Sequence, residues 1–152
     1  MKVPSTYSEW LKCFDTVRDG TNDAEALDCM KRGNLALSAG VAGRFASQLS
    51  SLLQFRIKRA SDKFSRSMQS TRGDLNHLTN ALISVRKELK YLMEIAKLPV
   101  LPHADSQMIV SAIKQQADSM QESLESTSGK NDRSGVLTSI IRNNRINDLE
   151  KT

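Results

Sequence analysis

Residues 75–96 read LNHLTNALISVRKELKYLMEIA, and within them Leu75, Leu78, Leu82, Val85, Leu89, Leu92 and Ala96 recur at alternating steps of three and four. Such steps place one apolar side chain per turn on a single face of an α-helix. Three heptads of them make a seam that packs along a neighbouring helix at a shallow angle. A strand, whose faces alternate at every residue, does not produce this spacing. The stretch therefore predicts a long helix that requires apolar partners, in its own chain or in another.

Both flanks supply such partners. On the N-terminal side, Val41, Phe45, Leu49, Leu52, Leu53, Ile57, Ala60, Phe64 and Met68 predict a helix over 41–68, ended by Arg72-Gly73-Asp74. On the C-terminal side, Leu98-Pro99-Val100-Leu101-Pro102 cannot continue a helix, because each proline lacks the amide donor and restricts the residue before it. Asp105 or Ser106 is then expected to cap a helix carrying Ile109, Ala112, Ile113, Ala117, Met120 and Leu124 on one face. Connectors this short leave no room for a crossover, so consecutive long helices should run antiparallel.

The ends of the chain add shorter elements. Thr6-Tyr7-Ser8-Glu9 has the form of a capping box, followed by Trp10, Phe14 and Val17 on one face and by Asp19-Gly20 as a stop. Asn22 or Thr21 can cap a second short helix, with Leu27 and Met30 inward and Gly33 expected as its left-handed C-cap. Ser126 to Arg133 reads as a polar linker, and Val136, Leu137, Ile140 and Ile141 as a last short helix starting near Ser134. The expected fold is all-α: an antiparallel bundle of three long helices, two short N-terminal helices as an added layer, and a short C-terminal helix. Residues 1–128 are expected to form one bundle domain, with 129–152 a linker and helical segment either docked or extended.

Composition agrees with a helical core. Leu, Ile, Val and Phe make up about 24% of the 152 residues, above the level at which disorder is expected. With 7 Gly, 3 Pro and 5% aromatics, the chain is poor material for a many-turned sandwich or barrel. No apolar run is long enough for a membrane span. The opening residues lack the apolar core of a secretory signal, so a cytoplasmic location is expected. Cys13 and Cys29, the two cysteines, then read as small buried hydrophobes.

The net charge of +5 is unevenly spread: cutting after residues 34, 73, 98 and 128 gives segments of −1, +6, +1, −3 and +2. Arg56, Arg59, Lys63 and Arg66 fall within an arc of about 80° on the third helix, a candidate phosphate-tracking face for nucleic acid. The same stripe also fits a solvated helix flank, where long basic side chains cover apolar edges with their methylenes. The short helix pair at 6–18 and 22–32 makes a poor helix-turn-helix, since the second helix begins with acids where DNA would be met.

No motif names a reaction. A di-metal bundle needs Glu-x-x-His pairs, and neither His77 nor His103 has a glutamate three residues before it. Cys13, Cys29, His77 and His103 show no paired metal-ligand spacing, and no phosphate-cradling glycine loop or nucleophile elbow occurs. No metal or cofactor is expected. Trp10 and the methionines read as core.

The pattern favours a non-catalytic, cytoplasmic protein-interaction or regulatory module, with a protein partner or self-association. Nucleic-acid binding through the third helix is the alternative, and a small enzyme with an unrecognised site the second. Candidate interface residues are Ile83, Tyr91 and Ile95, flanking the seam, and Val136, Ile140, Ile141, Arg142 and Arg145 near the C-terminus. Ile83 and Ile95 lie one residue from the seam and would equally widen its core face, as Val136 to Ile141 would if that helix docks on the bundle.

Overall fold

The computed structural model describes residues 1–70, 74–131 and 135–150, with backbone alone for 68–70 and 128–131. The chain is all-α. Six helices run α1 Tyr7–Asp19, α2 Asp23–Arg32, α3 Ala39–Ser70, α4 Leu75–Ala96, α5 His103–Asn131 and α6 Val136–Asn143, with no strand among the described residues. The three long helices α3, α4 and α5 pack as a bundle. Arg72, Gly73, Asp132, Arg133 and Ser134, assigned above to a break, a linker and a helix start, lie outside the described residues, as does the side chain of Met68.

Local chemistry sets most helix ends. At α1 the Thr6 hydroxyl accepts from the Glu9 amide at 3.2 Å while the Glu9 carboxylate accepts from the Thr6 amide at 3.2 Å, completing the capping box. Gly20, at φ 74°, ends α1 in the left-handed conformation that a residue without Cβ adopts freely. Asp74 starts α4, its carboxylate accepting from the His77 amide at 3.2 Å.

Three ends differ from expectation. Gly33 is extended, at φ −74° and ψ 165°, and serves another need: a Cβ there would lie 2.8 Å from Pro4 and 2.9 Å from the Trp10 ring. Helix α5 begins at His103, with the Pro102 carbonyl accepting from Ser106 N, so neither Asp105 nor Ser106 is its cap. The Ser106 hydroxyl instead donates to the Ala96 carbonyl at the end of α4, at 2.6 Å. Helix α5 also continues through Ser126–Asn131, because polar residues do not break a helix and one glycine costs only about 1 kcal/mol.

The chain divides into two compact units, Met1–Ile57 with Glu94–Val110, and Lys58–Met93 with Ser111–Thr152. The first unit is centred on aromatics. Trp10 meets Phe45 edge-on at 5.5 Å between centroids and Phe14 at 6.4 Å, and its indole N–H donates to the Asn34 carbonyl at 3.0 Å. Cys13, Val17, Cys29, Met30, Leu49 and Leu52 are buried in the same unit, and burial pushes the Cys13 thiol above its ordinary range.

In the second unit the seam residues Leu78, Leu82, Val85, Leu89 and Leu92 are buried, whereas Leu75, in the first turn of α4, is 42% exposed. Here α3 and α4 are antiparallel. Ser67 meets His77 at 2.5 Å, and Ala60, Lys63 and Phe64 share a groove with Ala81, Val85 and Glu88.

Two measurements test the N-terminal packing. Gly33→Ala should lower unfolding free energy by about 1–3 kcal/mol in urea denaturation, since Pro4 and Trp10 must move apart; an unchanged midpoint would contradict the close approach. The Glu9 carboxyl is lowered to about 2, first by Lys2 and then by hydrogen bonds from Ser5. A depressed carboxyl adds stability above its unfolded value of 4.5, lost as pH falls through about 2. NMR titration of Glu9 should therefore show a midpoint near 2.

Candidate functional site

The second unit carries an open apolar cavity of about 420 Å³. It is built from the inward faces of four helices: Phe64 of α3, Leu78 of α4, Met120 and Leu124 of α5, and Leu137 and Ile141 of α6. The spacing of each set explains its convergence. Met120 and Leu124 are one turn apart, as are Leu137 and Ile141, so each pair presents one wall. Hydroxyls of Ser61, Ser65, Ser123 and Thr127 complete the lining, and among the described residues no titratable side chain enters it. Met120, Leu124 and Leu137 remain half-buried, leaving apolar surface accessible from solvent. Chemically, such a cavity can accept apolar groups and satisfy a few hydrogen bonds; nothing in its lining can transfer a proton at neutral pH.

One wall depends on a buried polar residue that the sequence pattern did not single out. Gln121 is 1% exposed; its amide donates to the Ile141 carbonyl at 3.4 Å and its carbonyl accepts from the Ile146 amide at 3.0 Å. It thereby satisfies a carbonyl in the last turn of α6 and a backbone amide beyond it. Around it, Arg142 pairs with Glu125 at 3.1 Å, Asn147 donates to Asp118 at 2.9 Å, and Lys114 pairs with Glu150 at 2.5 Å. Lys114, Asp118, Gln121 and Glu125 stand at steps of four, three and four, a polar stripe on α5 that receives the C-terminal segment. That spacing is visible in the sequence, but its partners, 17 to 36 residues away, are not.

The C-terminal candidates separate accordingly. Ile141 is buried and lines the cavity, Ile140 is half-buried, and Val136 is 45% exposed. Arg142 is taken up by Glu125, and Arg145 is exposed, donating to Asn147 at 3.2 Å. On α4, Ile83 and Tyr91 are half-buried. Ile95 departs from the interface expectation: it is fully buried, widening the core face.

The basic stripe also loses a member. Arg56 is 3% exposed, and its guanidinium donates to the Val17 carbonyl at 2.8 Å and to both Asp23 oxygens at 2.9 and 3.0 Å. A helical wheel places Arg56 with Arg59, Lys63 and Arg66. It cannot see the last turn of α1 and the first turn of α2 arriving at the same place, where a cation and an anion complement the two helix ends. Arg59 is half-buried, and Lys63 and Arg66 are exposed.

The histidines and cysteines do not converge: Cys13 and Cys29 are buried in the first unit, His103 begins α5, and His77 contacts Ser67. Among the described residues, no group of three or more His, Cys, Asp or Glu could hold a metal ion, and no helix is long and apolar enough to cross a membrane. Compared with known proteins, the chain matches no family model, no curated protein and no solved structure.

Gln121→Ala would leave two buried backbone groups unsatisfied, at about 1–3 kcal/mol each. Its expected effect is faster hydrogen exchange at Ile146, with the seam of α4 still protected. Unchanged exchange at Ile146 would show that Gln121 does not hold the C-terminal segment.

Proposed function

We propose that the chain acts in the cytoplasm as a non-catalytic helical interaction module whose contact site is the apolar cavity of the second unit. The occupant is an amphipathic helix from a partner protein. The observation that carries this reading is the chemistry of the lining: half-exposed Met120, Leu124 and Leu137 around an open space of about 420 Å³, with hydroxyls and no charge. Helix-in-groove recognition needs a concave apolar strip that accepts side chains spaced three or four residues apart. Helix α6 supplies the template, since it already seats Leu137 and Ile141 at that spacing against the same space. Val136, next to Leu137, extends the apolar surface outward.

Site-specific photo-crosslinking from position 127, on the lining, tests the proposal in the native cell. A heterologous adduct of discrete mass is expected, and Ser123→Trp, which fills the space from an exposed position, should abolish it while leaving the melting temperature unchanged. Adducts only between copies of the chain, or an adduct untouched by the tryptophan, would overturn it.

A further inference from the structure

The net charge of the chain has a single address. Residues 58–93, the α3 and α4 portion of the second unit, hold eight Lys and Arg against three Asp and Glu, which accounts for the whole +5. Elsewhere the signs balance: eight of each in the first unit, and six of each in 111–152. In that last segment acids meet internal partners, through Arg142 with Glu125 and Lys114 with Glu150. In residues 58–93 the three acids Asp62, Asp74 and Glu88 cannot neutralise eight cations, whatever their pairing.

Antiparallel packing concentrates this excess. Lys58–Arg66 and Arg86–Lys90 are twenty residues apart in sequence, yet Lys63 shares a groove with Ser84 and Glu88, and Lys87 stands in the same turn of α4 as these two. Lys63, Arg66 and Lys87 are exposed and Arg59 half-buried, with Glu88 the acid between the two helices. Ala60, Phe64 and Val85 are buried at the floor of this groove, and the exposed Lys63 and Ser84 stand at its rim.

We propose that this outer α3–α4 face binds the phosphate backbone of nucleic acid without regard to sequence. A protein partner is held mainly by aromatic and apolar anchors near the centre of an interface, and the large apolar residues of this groove, Phe64 and Val85, are buried. Phosphate backbones require cations and hydroxyl donors, which are present. Phe64 lines both this groove and the apolar cavity, but the cations lie outside the cavity lining, so this proposal does not rest on the preceding one.

Fluorescence anisotropy with a labelled 20-base-pair duplex, over about 50 to 200 mM salt, tests it with the full chain. Lys63, Arg66 and Lys87 would neutralise about three phosphates, a log–log salt slope near −2.7, and thus about 40-fold weaker binding across that range. Lys63→Gln with Lys87→Gln, both exposed, should reduce the slope by about 2 with no change in thermal unfolding. No binding at the lowest salt, a slope unaltered by the double variant, or tighter binding of a polyglutamate peptide than of the duplex would each overturn it. The last result would assign the face to an acidic protein instead.

Discussion

The apolar seam of α4 is the constraint around which the second unit is arranged. Leu78, Leu82, Val85, Leu89 and Leu92 each gain about 1.5–3 kcal/mol on full burial, and most of a helix's stability in a protein comes from packing such an apolar face rather than from propensity. Satisfying five such residues on one face requires helices that run alongside for several turns, which α3 provides in antiparallel register. Once that register is set, side chains distant in sequence must meet: Ser67 reaches His77, and Lys63 comes beside Glu88. Polar groups drawn inward must bring their own partners. Gln121 does so with two backbone groups of the C-terminal segment, and Arg56 does so in the first unit with Val17 and Asp23.

Features set by short-range chemistry were legible in the sequence. The capping box at Thr6 and Glu9, the stop at Gly20 and the limits of α4 depend on residues within one or two turns, and a linear reading contains all of them. Gly33 shows where that reading stops. A glycine after a helix usually serves as a left-handed cap, but here its missing side chain makes room for Pro4 and Trp10, whose approach is a tertiary event. The end of α5 was placed too early for a different reason: hydrophobic periodicity marks the buried part of a helix, and Ser126–Asn131 extends beyond it. The basic stripe was half legible. Its charges were evident, whereas the withdrawal of Arg56 is a consequence of packing. The cavity was not legible as a site, because Phe64, Leu78, Met120 and Leu124 share the helical periodicity of ordinary core residues.

The second unit thus presents two chemically distinct surfaces. One is apolar with a hydroxyl lining, left open where α3, α5 and α6 do not close over Met120 and Leu124. The other is the α3–α4 groove, where Lys63 lies beside Ser84 and Glu88. Phe64 is common to both. Both follow from the same packing, which spends the apolar seam inward and leaves what remains of each helix to solvent.

That packing presumes that the seam is buried by its own chain. A seam closed within the chain makes thermal unfolding independent of protein concentration, whereas a seam closed by a second copy makes the midpoint fall on dilution, by mass action. Melting followed by far-ultraviolet circular dichroism over a hundredfold dilution measures this directly. The account predicts one helix content and one midpoint throughout; a midpoint that drops with dilution, together with loss of helix, would contradict it.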